Sequence, residues 1–309
     1  MSSRGCLAAS LASHSTALRS LSLAAILQAI LLGIVQGLTE FIPISSSAHL
    51  IVVPWLLEPF TGIGDFGLSF DLALHLGTLV AVLAYFRTDW VRMFVAFVAS
   101  VRERSIAGNS DRRLAWLLVL GSIPGGLAGL VGDELIGDFF HSPDAAHQPS
   151  AMVVIALLMM ALAVALWLAE RLARHGRSLT SLGVKDALLI GCAQALALLP
   201  GVSRSGSTIT MGLALGLTRE TAARFSFLLA APIIAGAGVT KLLAALSDGS
   251  LANDGALFLS GFLSAALVGY LCIRFLLSYL QRNTTLVFVY YRFAAALLII
   301  ALAAIGYGG

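Results

Sequence analysis

The sequence predicts an all-α polytopic membrane protein, with six transmembrane helices and two re-entrant helix hairpins forming an inverted-topology repeat. Three observations lead there. The 309 residues are 59% hydrophobic and 11% charged, with a mean hydropathy of +0.93, whereas a soluble domain carries about 25% charged residues. Six apolar runs reach the roughly 20 residues needed to cross a bilayer. Two further apolar segments are each interrupted by a proline beside polar residues. Irregular backbone at that depth survives only inside protein or along a watery cavity.

Taken in order, residues 1–21 hold Arg4 and Arg19, no acid and many small residues, and are expected to be a disordered tail or the product of an upstream start codon. They do not read as a cleaved signal peptide, because the apolar run that follows leads straight into a polar motif. Segment 23–57, broken at Pro43, is the first hairpin. Spans follow at roughly 70–87, 112–131 and 151–170. Segment 184–217, broken at Pro200, is the second hairpin, and spans at 221–246, 255–280 and 286–307 complete the chain. Residues 22–309 then form a single membrane domain of two repeats, about 22–131 and 151–280, plus a final helix at 286–307.

Loop charge sets the orientation. Residues 87–113 carry Arg87, Arg92, Arg102, Arg104, Arg112 and Arg113, and residues 171–185 carry Arg171, Arg174, Arg177 and Lys185. Both loops are expected in the cytoplasm. The stretches 132–148 and 247–254 hold Asp133, Glu134, Asp138, Asp144, Asp248 and Asp254 without Lys or Arg, and belong outside. The first hairpin then enters from the outer face and the second from the cytoplasm, and both termini finish outside. The hairpins also match each other: Gly33, Gln36, Ser45 and Ser47 recur 158 residues later as Gly191, Gln194, Ser203 and Ser205. Repeats of opposite topology place a site where the halves meet.

The chemistry concentrates at the two breaks. In "QGLTEFIPISSSAHL", residues 36–50, Gln36 and Glu40 share one helix face. Pro43 turns the chain, and Ser45, Ser46 and Ser47 are natural caps for a second half-helix. His49 falls within one turn of the Ser45 and Ser46 hydroxyls. An acid, hydroxyls, an imidazole and a positive helix end suit a phosphate. In "LPGVSRSGSTITMGL", residues 199–213, the plan recurs with a cation. Pro200 and Gly201 break the chain, Ser203, Ser205, Ser207 and Thr208 supply hydroxyls, and the Arg204 fork fits phosphate oxygens. Gly201 and Gly206 would admit backbone close to an anion. Intramembrane charges mark function by default. The plainer alternatives are a buried Glu40–Arg204 pair and simple capping by Ser45 and Ser47. Asp71 and His75, spaced i, i+4, either serve the site or satisfy each other. By position alone Arg292 and Lys241 read as snorkelling near helix ends. Cys6, Cys192 and Cys272 are scattered without metal-ligand spacing, and no basic patch interleaved with aromatics supports nucleic-acid binding.

These two motifs, with "FSFLLAAPIIAGA" and "YRF" following in order, resemble the undecaprenyl-diphosphate phosphatase family, also called bacitracin-resistance proteins, from about residue 22 onward. The resemblance implies a multi-pass hydrolase of the bacterial inner membrane, its site facing the periplasm. Such an enzyme removes the terminal phosphate of a polyprenyl diphosphate, regenerating the monophosphate carrier for peptidoglycan synthesis. It implies Glu40, Ser46, His49 and Arg204 as catalytic residues and Arg292 as a substrate-binding one, with Ser45, Ser47 and Ser203 as their neighbours in the motifs, which moves Arg292 from the interface into the site; the reading of the second motif adds Ser205 and Gly206 to the substrate-binding set. It also implies a divalent cation, Mg2+, with Glu40 and Gln36 as its protein ligands. Some members carry Glu where this chain has Gln36, which leaves Glu40 the sole acid of the motif. The implied partners are the polyprenyl diphosphate and membrane lipids, with a homodimer as an allowed assembly. Two routes stay open. Ser46 attacks phosphorus with help from His49, or water attacks with Glu40 or His49 as base; the position of Ser46 beside His49 at a helix end favours the first. The rival class is a lipid-phosphate transporter or flippase, which shares repeats and broken helices but has little use for a base beside phosphorus.

Overall fold

The computed structural model describes residues 23–61, 68–140, 149–247 and 255–307. The tail at 1–21 and the acidic stretches at 141–148 and 248–254 lie outside them, as do the side chains of Asp133, Glu134, Asp138 and Lys241. The described chain is helical between turns. The first broken segment gives α1 (Leu23–Thr39) and α2 (Ser46–Thr61), followed by α3 (Leu68–Tyr85), α4 (Arg87–Glu103), α5 (Ser110–Phe140) and α6 (Pro149–Leu172). The second gives α7 (Val184–Ala195), a 3-10 turn at Leu196–Leu198 and α8 (Arg204–Ala214), followed by α9 (Arg219–Ser247), α10 (Gly255–Leu280) and α11 (Leu286–Ala304). Among the described residues five helices, in α5, α6, α9, α10 and α11, are long and apolar enough to cross a membrane. Counting the bent pair α3–α4 as one span makes six.

Two elements differ from expectation. The arginine-rich stretch after residue 86, expected to be loop, begins with α4, bent 79° from α3. Met93, Ala96 and Ser100 turn inward at helical spacing, and Ser100 Oγ accepts from Trp116 Nε1 of α5 at 2.9 Å. Arginines at both ends of this helix give it the charge of a loop and mask its amphipathic middle. The other difference is length: α5 continues through Pro124 to Phe140, so 132–140 is helix and not outer loop. Proline is tolerated in membrane helices because neighbours re-satisfy the freed carbonyl.

Helices approach closely where side chains are absent. A Cβ at Gly33 of α1 would fall 1.8 Å from Ser264 Oγ and 2.5 Å from Gly261 O of α10. A Cβ at Gly191 of α7 would fall 2.2 Å from Gly121 O of α5. Small residues are what let membrane helices pack backbone to backbone. Thus α1 lies on α10 and α7 lies on α5, while α3 packs on α10 and α9 on α5. Each pairing has a counterpart when the two halves are exchanged. Two apolar clusters then hold the breaks in place. Phe41, just after α1, meets Phe227 of α9 edge-on at 5.3 Å. Ala48, Val52 and Trp55 of α2 pack with Met152 and Met159 of α6 and with Ala296 and Ile299 of α11.

Candidate active site

Both breaks end in a serine with positive φ, Ser45 at 81° and Ser203 at 64°. This region is uncommon for any residue but glycine. Each serine caps the helix that follows: Ser45 Oγ accepts from the Ala48 amide at 3.4 Å, and Ser203 Oγ from the Gly206 amide at 3.0 Å. A second hydroxyl lies 3.2 Å from each cap, Ser47 beside Ser45 and Ser205 beside Ser203. The opening amides of α2 and α8 have no intrahelical acceptor, which leaves a positive end at each break.

Glu40 sits where the breaks meet, and its side chain is 3% exposed. Oε2 accepts from Ser46 Oγ at 2.6 Å and from Gln36 Nε2 at 3.0 Å. Oε1 accepts from Arg204 Nη2, across 164 residues of sequence. The acid of the first hairpin and the cation of the second are therefore in direct contact. Ser205 Oγ adds a bond between the breaks, donating to Ile42 O at 3.2 Å.

His49 is oriented differently from expectation. Its Nδ1 donates to the Ser45 carbonyl at 2.6 Å, one turn back along the chain. Its Nε2 meets the Tyr291 hydroxyl at 2.7 Å, and the two rings stack at 5.7 Å and 16°. The Ser46 hydroxyl turns to Glu40, and the expected Ser46–His49 contact is not formed.

Arg292 of α11 is fully buried, not snorkelling. Nε donates to Met159 O at 3.0 Å, Nη1 to Pro43 O at 3.2 Å and Nη2 to Gly201 O at 2.7 Å. One side chain thus braces both breaks to each other and to α6. Gly206 also does other work than close approach to an anion. Its amide is taken by Ser203, and a Cβ there would lie 2.8 Å from Leu162 Cδ2 of α6. Gly201 has φ +99°, and a Cβ would lie 2.6 Å from Ile155 O.

The candidates therefore divide by access. Ser46, Ser47, His49 and Arg204 are half-buried, with Glu40 directly beneath Ser46 and Arg204. Ser45, Ser203, Ser205, Gly206 and Arg292 are buried around them. His75 of α3 donates from Nδ1 to the Asp71 backbone carbonyl at 2.8 Å. Tyr291 was missed by sequence reasoning. It stands beside a second tyrosine inside "YYRF", and no spacing rule distinguishes the one that meets His49.

Gln36 bonds to Glu40 through its nitrogen and leaves Oε1 buried without a hydrogen bond. Among the described residues no group of three or more His, Cys, Asp or Glu could hold a metal. One carboxylate and one amide oxygen suit a hard cation that keeps waters and substrate phosphate oxygens in its shell, as Mg2+ does. The residues fit such a shared ion.

Comparison with known proteins agrees across nearly the whole chain. Residues 29–298 match the family described as bacitracin resistance protein BacA. A protein of Thermomicrobium roseum named undecaprenyl-diphosphatase is 50% identical over 276 residues, 88% of this chain and 96% of its own. Proteins with the same name from Rubrobacter xylanophilus and Moorella thermoacetica are 48% and 46% identical. They cover 90% and 89% of this chain, and 98% and 97% of their own.

Proposed function

The chain belongs to the bacitracin resistance protein BacA family of undecaprenyl-diphosphatases, and we infer from this that it is a membrane phosphatase removing the terminal phosphate of undecaprenyl diphosphate. Its products are the monophosphate carrier lipid, returned to peptidoglycan synthesis, and inorganic phosphate. The observation that carries the reading is the Ser46–Glu40–Arg204 chain, a hydroxyl, a carboxylate and a guanidinium bonded in series between two helix N-termini.

In the proposed mechanism the diphosphate sits against the opening amides of α2 and α8, and Arg204 turns its remaining donors to the terminal phosphoryl group. Phosphoryl transfer needs mostly positioning and neutralisation of charge, which these groups supply. Ser46 Oγ attacks the terminal phosphorus while its proton passes to Glu40 Oε2. The bond from phosphorus to the bridging oxygen breaks, and the lipid monophosphate leaves. Water then attacks the phosphoserine, Glu40 returns the proton to Ser46 Oγ, and phosphate carries off the proton from water. The 2.6 Å bond favours Glu40 over His49 as the proton acceptor for Ser46. Gln36 and Glu40 would hold a Mg2+ ion, whose charge would further neutralise the diphosphate.

The exchanged packing of α1 on α10 and α7 on α5 supports an inverted repeat. The arginines after α3 and after α6 support a cytoplasmic placement for those turns, and a site opening toward the periplasm is in keeping with that orientation. The test is direct. Purified protein in detergent should release phosphate from undecaprenyl diphosphate, where a transporter, needing a sealed membrane, would release none. A quenched single turnover should contain phosphoserine, and a Ser46→Ala protein that keeps most of its turnover would exclude the covalent route.

A further inference from the structure

A cavity of about 260 Å³ opens between the turn that joins α4 to α5 and the 3-10 turn at Leu179–Ser181 ahead of α7. Its wall is apolar, formed by Leu114 and Leu117 of α5 with Leu179 and Leu182, and its polar groups include Asn109 and Arg113. The face of α5 that carries Leu114 and Leu117 runs on to Gly121, which packs against Ala187 of α7. The cavity therefore lies at the arginine-rich end of the seam between the two helices. Asn109 is occupied by the helix itself: Oδ1 accepts from the Asp111 and Arg112 amides at 2.9 and 3.0 Å. Arg113 is occupied only in part. It donates from Nη2 to the Leu182 carbonyl and from Nη1 to that of Thr180 at 3.5 Å. The side chain is otherwise exposed, and a guanidinium has five N–H donors to offer.

The surroundings carry cations that nothing neutralises. In residues 87–113 and 171–186 every acid is already paired. Asp89 lies 2.6 Å and Asp111 3.9 Å from Arg92, Glu103 lies 2.7 Å from Arg112, and Asp186 lies 2.6 Å from Arg177. Arg102, Arg104, Arg171 and Arg174 are exposed and make no ion pair among the described residues. A leucine wall, at the end of a helix long and apolar enough to span the membrane, is thus combined with a cationic mouth. A soluble anion has no use for the wall, and an acyl chain alone has none for Arg113.

We propose that this cavity binds the headgroup of an anionic phospholipid, with its phosphodiester on Arg113 and its glycerol and first acyl carbons against Leu114 and Leu179. Basic pockets between membrane helices on the cytoplasmic side take such headgroups, and loop charge places this end of the molecule there. A volume of about 260 Å³ is just below the roughly 300 Å³ at which small-ligand sites begin. It holds a headgroup and leaves the tails in the bilayer. Arg113 already bonds the turn before α7 across 69 residues of sequence. A phosphate seated on it clamps the start of α5 to that turn, a joint between the two halves of the chain.

The probe is dioleoyl phosphatidylglycerol, added to the purified protein in detergent, with dioleoyl phosphatidylcholine as the zwitterionic control of equal tails. Phosphatidylglycerol should raise the melting temperature by about 2–5 °C, as a ligand of the folded state does, and phosphatidylcholine should not. Arg113→Gln, which can still donate to the Leu182 carbonyl, should lose that rise. Arg171→Gln, also exposed but outside the cavity, should keep it. Equal shifts with the two lipids overturn the proposal. So does a rise retained in Arg113→Gln, or one lost in both variants, which would assign the effect to diffuse surface charge. Inorganic phosphate that matches phosphatidylglycerol would overturn it in favour of a soluble anion. A second experiment uses native protein and needs neither variant to fold. Phosphatidylglycerol with a photoactivatable group at the start of an acyl chain should label residues 106–117 or 179–182, and excess unlabelled phosphatidylglycerol, but not phosphatidylcholine, should suppress the label. Labelling confined to other parts of the chain also overturns the proposal. Neither readout measures phosphate release, so failure here leaves the hydrolase reading standing, and failure of that reading leaves the lipid site standing.

Discussion

Glu40 accepts from a serine, an amide and a guanidinium at once, so its two oxygens serve two kinds of work: Oε2 faces Ser46, and Oε1 faces Arg204. Glu40→Gln keeps the shape and removes both the base and the counter-charge. The expected result is a fall in kcat of about 10²–10⁴-fold, the usual worth of a positioned general base, measured as phosphate release. The two arginines separate by the same kind of reasoning. Arg204 is half-buried and spends one nitrogen on a carboxylate, so Arg204→Lys preserves the charge and the ion pair. It loses the fork that grips phosphate, and activity should fall with little change in melting temperature. Arg292 spends Nε, Nη1 and Nη2 on three carbonyls from three parts of the chain. One ammonium cannot reach all three, and each carbonyl left buried and unsatisfied costs about 1–3 kcal/mol. Arg292→Lys should therefore lower the melting temperature and activity together. An Arg292→Lys protein that melts like native but binds substrate poorly would return Arg292 to the ligand shell.

At the scale of elements, the glycines and serines that match at an interval of 158 residues each do one job twice, and the matching glutamines share burial. Gly33 and Gly191 are the crossing points of α1 with α10 and of α7 with α5. Gln36 and Gln194 are both buried, with amide atoms left unpaired. Ser45 and Ser203 end the breaks at positive φ and cap the next helix, and Ser47 and Ser205 lie 3.2 Å from those caps. The cap and the strain pull in different directions on substitution. Alanine at Ser203 loses the cap, worth about 0.5–2 kcal/mol, and keeps an unfavourable φ. Glycine loses the same oxygen but relaxes the backbone. Ser203→Gly should melt above Ser203→Ala in detergent, and the reverse order would mean that the positive φ holds no strain for glycine to relieve. The start of α7 adds a pH-sensitive anchor. Asp186 accepts from Arg177 at 2.6 and 3.1 Å and from the Gly183 amide at 2.8 Å. The hydrogen bonds from Arg177 hold its carboxyl below the ordinary value of 3.8. A depressed folded value means that this stabilisation is complete above that ordinary value and fades as pH falls through the lower one. Native protein should lose part of its thermal stability in strong acid that Asp186→Asn has already lost at neutral pH.

For the molecule as a whole, the sequence reveals most where chemistry conflicts with surroundings. Prolines and hydroxyls inside apolar runs located both breaks within a residue or two, and the intramembrane charges Glu40 and Arg204 pointed to a contact that the fold makes. What stayed hidden depends on tertiary rotation. Periodicity cannot say that the Ser46 hydroxyl turns to Glu40 and leaves His49 to a tyrosine 242 residues away, nor that Arg292 points inward at backbone. The amphipathic helix α4 was hidden for a different reason, since its flanking arginines resemble a loop. Orientation in the membrane rests on loop charge alone, and it has a sharp test. The native Cys6, Cys192 and Cys272 are first replaced, and Ser105→Cys, Ser178→Cys, Ser142→Cys and Ser250→Cys are then made singly. In intact cells a membrane-impermeant thiol reagent should modify the Ser142→Cys and Ser250→Cys proteins. Ser105→Cys and Ser178→Cys should react only after the membrane is opened, because the arginines around them hold these turns on the cytoplasmic side. If Ser105→Cys and Ser142→Cys were modified alike in intact cells, the two hairpins would not enter from opposite faces. The inverted repeat would then fail, while the Glu40–Arg204 contact, which does not depend on it, would stand.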